Sequence, residues 1–340
     1  MSAVATILML VIAPLNSFLF TSGNFSVSNS DQAAWDQQKN SGAVEGAEKN
    51  QEEPVVSSIP DPIPTFQPIK KETAVNLAIP NAHSSLIIDV DTKKVLFESD
   101  GNEQRQIASL TKMMTATLVM EKISNLEEEV TIDEEVVYTE GTRIGCPRSG
   151  YCISQRLKVG EKISVINLLK AMLMNSANDA ATALAKHISG SEEKFVELMN
   201  KKAKNLGLND TNFCTASGLE PEGRESECYS SAYDIGYIAA YSMKYDLIWD
   251  IMRLPTNTII TSSDGTCSHT ILNTDIVLND ITNCIGGKTG FTPLAGRSLL
   301  LASSDPTGKH KIVAVLLDDP YRWQDIKTMI NWAFQSYEWR

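Results

Sequence analysis

The sequence predicts an α+β domain. An antiparallel sheet is flanked by helices and faces a second, all-helical lobe, with a cleft between the two. Three observations carry this. Runs rich in β-branched and aliphatic residues fall at the two ends of the globular part, helical periodicity fills its middle, and the stretch ahead of residue 75 has a composition that builds no core.

The elements follow in order. Residues 1–20, "MSAVATILMLVIAPLNSFLF", are apolar and uncharged. They read as a signal peptide or an N-terminal membrane anchor, and either places the rest of the chain outside the cytoplasm. Residues 21–74 are polar and acidic and close with Pro54, Pro60, Pro62, Pro64 and Pro68. This is the composition of a disordered, Pro-stiffened linker. From 75 to 340 the pattern is globular. "SSLIIDVDTKKVLFES" reads as a hairpin turning at Asp91-Thr92-Lys93. "SLTKMMTATLVMEKI" has apolar residues at helical spacing, and "VINLLKAMLM" and "DAATALAKHI" are two further helices separated by "NSAN". Ser191 is placed to cap a helix with acids in its first turn and Gly207 beyond its end. One helix is expected over 231–252, strands on either side of Pro306-Thr307-Gly308, and a last helix in "YRWQDIKTMINWAFQSY".

A formal net charge of -12 argues against nucleic acid as partner and against docking to anionic lipid by charge alone. Six cysteines, none in Cys-x-x-Cys and none at zinc spacing, fit an oxidising compartment and imply no metal site. Of the fifteen possible connectivities, pairing of sequence neighbours is expected: Cys146–Cys152, Cys214–Cys228 and Cys267–Cys284. The sequence implies no cofactor and sets no oligomeric state.

Three short stretches carry chemistry when taken together: Ser109-Leu110-Thr111-Lys112 at a helix start, Ser176-Ala177-Asn178 between two helices, and Lys288-Thr289-Gly290 on a strand. Ser109 is the candidate nucleophile, and a serine hydroxyl needs a base within hydrogen-bond reach. The four histidines, His83, His187, His269 and His310, lie outside these stretches, so a Ser-His-Asp triad is not expected. Lys112 is the nearby base. Its pKa, about 10.4 unperturbed, must fall for it to accept a proton. Burial against Met113 and Met114 and a second cation, Lys288, are the means at hand.

Ser-x-x-Lys, Ser-x-Asn and Lys-Thr-Gly in this order resemble the serine DD-peptidases. The resemblance is to the low-molecular-weight penicillin-binding proteins that are D-alanyl-D-alanine carboxypeptidases, over about residues 75–340. It extends to "IIDVDTKKVLFESD", "NSANDAATALA", "TNF" with "SGL", "SAYDI" and "GGKTGFT". It implies a β-lactamase/DD-peptidase-like fold and removal of the terminal D-alanine from peptidoglycan stem peptides through an acyl-enzyme on Ser109. β-Lactam antibiotics are then expected as covalent inhibitors. It also implies roles. Ser176 passes a proton to the leaving amine, and Asn178 orients Lys112 and the substrate backbone. Lys288, Thr289 and Arg322 hold a carboxylate, and Gly290 admits the ligand close to the backbone. The N–H groups of Ser109 and Phe291 form the oxyanion site. Many members continue into a further β-rich domain and a C-terminal amphipathic helix. This chain ends at Arg340, so membrane attachment is expected of its N-terminal segment. A DD-endopeptidase uses the same trio and is the nearest alternative. A serine β-lactamase is the next, but "LEPEGRESEC" lacks the Glu-x-x-Leu-Asn pattern of the enzymes that deacylate fast. A non-catalytic wall-binding protein would be expected to have lost one of these residues.

Overall fold

A computed structural model describes residues 66–147 and 151–340. The expected signal or anchor over 1–20 and most of the expected linker lie outside the described residues. The linker's end does not. Pro68–Lys70 forms strand β1 rather than disordered chain.

The hairpin is β2 (Ser84–Asp89) and β3 (Val95–Ser99). A 3-10 turn over Ala108–Thr111 runs straight into α1 (Lys112–Lys122). Next come β4 (Glu129–Thr131), the short α2 (Glu134–Tyr138) and β5 (Lys162–Ser164), with β4 and β5 forming a small hairpin of their own. The helical lobe continues with α3 (Val165–Met174), α4 (Asn178–Ser189) and α5 (Glu192–Asn205). The hydroxyl of Ser191 accepts from the Lys194 N–H, as a cap should. The single helix expected over 231–252 is two, α6 (Ala232–Ser242) and α7 (Asp246–Met252). The chain tightens between them, where the Met243 N–H bonds the carbonyl of Ala240 and that of Tyr245 the carbonyl of Ser242. A second small hairpin, β6 (Thr258–Thr261) with β7 (Ser268–Ile271), precedes β8 (Cys284–Thr292), β9 (Gly296–Ser304) and β10 (Lys311–Leu317). The chain closes with α8 (Arg322–Ser336) and β11 (Tyr337–Trp339).

The central sheet is antiparallel with order β3-β2-β10-β9-β8, so the first hairpin and the last strands do join. Its strands are apolar on both faces because both are covered. Leu86, Ile88, Val313, Val315 and Leu317 pack toward α6 and the helical lobe. Ile87, Ile312, Ala314 and Leu316 alternate with them and pack on Ile326, Met329 and Ile330 of α8. β8 is the edge strand nearest the 3-10 turn, which brings Lys288-Thr289-Gly290 beside Ser109.

β1 pairs with β11, and Gln67 and Arg340 exchange backbone hydrogen bonds at 2.8 and 3.1 Å. The indole N–H of Trp339 donates to Asp89 and that of Trp332 to the Val75 carbonyl, which holds this two-stranded strip against the body.

Two of the expected disulfides are present, Cys146–Cys152 and Cys214–Cys228. The third is not. Cys267 and Cys284 are both buried free thiols. Cys267 immediately precedes β7, with the Lys158 amine 3.6 Å from its sulfur. Cys284 opens β8 inside the apolar layer under α8, where burial pushes its thiol up to about 12.

Candidate active site

Ser109 sits at the one half-buried position of a turn whose other residues, Ile107, Ala108, Leu110 and Thr111, are buried. Ala108 takes a left-handed φ of 48° to turn the chain here, a strained setting common at functional sites. Lys112 follows one turn later as the first residue of α1. Its amine is wholly buried and lies 3.0 Å from Ser109 Oγ, 2.8 Å from Asn178 Oδ1 and 2.6 Å from the Ser217 carbonyl.

These three neighbours accommodate a neutral amine. Asn178 Oδ1 and the Ser217 carbonyl only accept. The carboxamide's orientation is fixed, because its Nδ2 donates to the Glu140 carbonyl at 2.9 Å. A neutral amine has two N–H donors for these acceptors and one lone pair, which then faces the Ser109 hydroxyl. Burial lowers the Lys112 pKa well below its ordinary value, and the Lys288 cation lowers it further, with Glu192 and Asp179 partly opposing.

Ser176 lies in the break between α3 and α4 with a left-handed φ of 58°. Its Oγ is 3.0 Å from the Lys288 amine, which also donates to the Thr289 carbonyl at 2.9 Å. Lys288 is 0% exposed, and burial brings its pKa down to about 7. Its hydrogen bonds go to Ser176 and to its own strand. Thr289, at 7% exposure, is the neighbouring hydroxyl. Gly290 faces the nucleophile turn so closely that an added Cβ would lie 3.0 Å from the Ile107 carbonyl oxygen. Phe291 follows on the edge strand with its ring 61% exposed at the rim. The Arg322 guanidinium, at the start of α8, donates to the Gly290 and Ser298 carbonyls at 2.9 and 3.0 Å. It thus sits under the same strand.

Six residues of this neighbourhood were not among the sequence-derived candidates. Ser217 supplies the second acceptor for Lys112. Next to it Gly218, at φ 81°, lies so close to the nucleophile turn that a Cβ would fall 2.0 Å from the Ala108 carbonyl oxygen. Asp179, adjacent to Asn178, accepts from the Ile144 N–H with both oxygens and from the Ala180 N–H, fixing the loop that carries Cys146. Burial raises its pKa to about 6. Glu192 accepts from the Ala216 N–H at 2.8 Å and holds the Ser217 loop. Thr274 bonds Thr289, and Asp275 is buried with one carboxylate oxygen unpartnered. Burial raises the Asp275 pKa to about 6 against the pull of Lys288 and Arg322. Asp179 was legible from its place beside Asn178, but the other five fall outside the three stretches. Among the described residues no group of His, Cys, Asp and Glu side chains is arranged to hold a metal ion.

This arrangement places the Ser109 hydroxyl against a buried amine, sets a second hydroxyl–lysine pair opposite, and lays an edge strand beside them. A family model for D-alanyl-D-alanine carboxypeptidase, peptidase S11, matches residues 71–320. The D-alanyl-D-alanine carboxypeptidase DacF of Bacillus subtilis (strain 168) is 33% identical over 76% of this chain, which spans 63% of that protein's length. A D-alanyl-D-alanine endopeptidase of Escherichia coli (strain K12) is 31% identical over 70% of this chain and 71% of its own. Penicillin-binding protein D2 of Listeria monocytogenes, solved with ampicillin bound, superposes with a TM-score of 0.63 at 26% identity, over 76% of this chain and 99% of that one. With Ser109, Lys112 and β8 all inside the matched stretch, the chain belongs to the D-alanyl-D-alanine carboxypeptidase family, peptidase S11.

Proposed function

We propose that the protein is a serine-type D-Ala-D-Ala carboxypeptidase acting on peptidoglycan stem peptides outside the cytoplasm, secreted or held by its N-terminal segment. The observation that carries this is the Lys112 amine, whose two N–H groups are taken by Asn178 and Ser217 and whose remaining valence faces Ser109. Lys112 removes the hydroxyl proton as Ser109 Oγ attacks the carbonyl of the D-Ala-D-Ala bond. The backbone N–H groups of Ser109 and Phe291 meet the developing oxyanion. Ser176, backed by Lys288, passes on to the departing D-alanine amine the proton that Lys112 took from Ser109, which leaves Lys112 neutral again. Water then attacks the acyl-enzyme, giving up its proton to Lys112, and Ser109 recovers a proton as the acid is released. Thr289, the field of Lys288 and Arg322 hold the terminal carboxylate. β-Lactams enter the first half of this cycle and stop at the acyl-enzyme.

The endopeptidase of E. coli supports a second reading, cleavage of cross-links by the same chemistry. Incubation with a free pentapeptide and with a cross-linked muropeptide separates the two. Release of D-alanine from the pentapeptide at a rate well above cross-link cleavage is expected, and the reverse order would transfer the assignment to the endopeptidase.

The two lysines set the pH dependence of acylation. Lys112 must be neutral, so the rate rises with pH through its lowered pKa. Lys288 must be charged to favour the carboxylate, so the rate falls again above about 7. The Asp275 carboxylate favours the Lys288 cation. Asp275→Asn should therefore move the descending limb to lower pH, while an unchanged limb would show that Asp275 does not act on Lys288.

A further inference from the structure

The segment between β7 and β8, "LNTDIVL", touches both walls of the site through one side chain. The Thr274 N–H donates to the Met174 carbonyl at 3.0 Å, and the Thr274 hydroxyl reaches the same carbonyl at 3.2 Å. Met174 is the last residue of α3, two positions before Ser176. The same Thr274 hydroxyl lies 2.7 Å from the Thr289 hydroxyl on β8. Asn273 anchors the segment by donating to the Met252 and Leu254 carbonyls, and its Oδ1 accepts from the Asp275 N–H.

Each hydroxyl has a single proton. When Thr274 gives its proton to Met174, the short contact to Thr289 can be filled only by the Thr289 proton. Thr289 then turns lone pairs toward the cleft, the wrong polarity for a carboxylate. When Thr274 gives its proton to Thr289 instead, the Thr289 proton is free to point into the cleft. The Met174 carbonyl loses little by this change, because the Thr274 N–H still satisfies it by the shorter bond. The two arrangements differ by rotation of two O–H bonds, with no heavy atom displaced.

We propose that Thr274 is a positioning residue for substrate-carboxylate recognition: its hydroxyl sets which way the Thr289 proton points. Thr274 touches no substrate itself, and the role rests on the DD-peptidase reading above. It favours ligands ending in an anionic acceptor. A neutral ester at the same place, a weaker acceptor, gains far less from the proton that Thr274 releases.

The test uses the full chain with two probes, benzylpenicillin and its methyl ester, and reads the second-order rate of Ser109 acylation by mass spectrometry. Thr274→Val keeps the shape and removes the hydroxyl. It should slow benzylpenicillin by roughly fivefold, the size of one neutral hydrogen bond lost from behind Thr289, while the ester changes by less than about twofold. Thr274→Ser should restore the benzylpenicillin rate. Equal slowing of both probes assigns Thr274 a structural role only and overturns the proposal, as does no change in either. Should the valine variant not fold, Thr274→Ala makes the same comparison. A wild-type chain that forms no Ser109 adduct overturns the underlying reading together with this one, a result distinct from the other two.

Discussion

Ser109→Ala is expected to leave no covalent adduct after exposure to benzylpenicillin, where the wild-type chain gains one adduct on the peptide containing Ser109. The loss should be complete rather than partial. Among the described residues, Ser109 Oγ is the one hydroxyl in contact with the Lys112 amine. Ser176 Oγ is bonded to the other lysine and sits across the site, so it does not inherit the base. The fold should persist, because Ser109 is half-exposed and its side chain carries none of the bonds that fix the turn. An adduct of unchanged yield in the alanine variant would move the nucleophile elsewhere and end the mechanism.

Lys112→Ala should retain Ser109 yet slow its acylation by several orders of magnitude. Loss of one oxyanion donor costs about a hundred- to a thousandfold, and removal of the base should exceed that. Acylation at a near wild-type rate would refute the role of Lys112. Stability carries an independent signature. A lysine whose folded pKa is lowered leaves the unfolded chain binding more protons, so stability falls as pH drops below the unfolded value of about 10.4 and levels off beneath the folded pKa. Lys112→Ala removes this penalty, at the cost of leaving Asn178 Oδ1 and the Ser217 carbonyl without their donor. The variant's unfolding midpoint should therefore depend less on pH between 7 and 10 than the wild type's.

How much of this the sequence disclosed depends on the range of the interactions. The β2–β3 hairpin, α1 and the α3–α4 break were legible because their signals are local: a turn tripeptide, a 3.6-residue period, a polar interruption. Ser109, Lys112, Ser176, Asn178 and Lys288 were legible as a trio of short motifs. The three-residue strands of β1, β4 and β5 were not, since so short a run has no period to read and forms only because a distant partner pairs with it. Helical spacing continues through 243–245, so the break between α6 and α7 left no mark in the pattern. The pairing of Cys267 with Cys284 failed for a related reason: seventeen positions separate them in the chain, and β7 and a long loop lie between. Ser217, Glu192 and Thr274 act on the site through a carbonyl, a loop brace and a shared hydroxyl, and none of these has a signature in one dimension.

Because Gln67 and Arg340 exchange backbone bonds, β1 and β11 bring residues 67 and 340 to one corner. A circular permutant should be easy to build. A few glycines from Arg340 to Gln67, with new ends opened at the exposed turn near Gly308, would preserve every pairing of the central sheet. Any cargo spliced at that corner would enter and leave the body at one address, which makes the domain an insertable cassette.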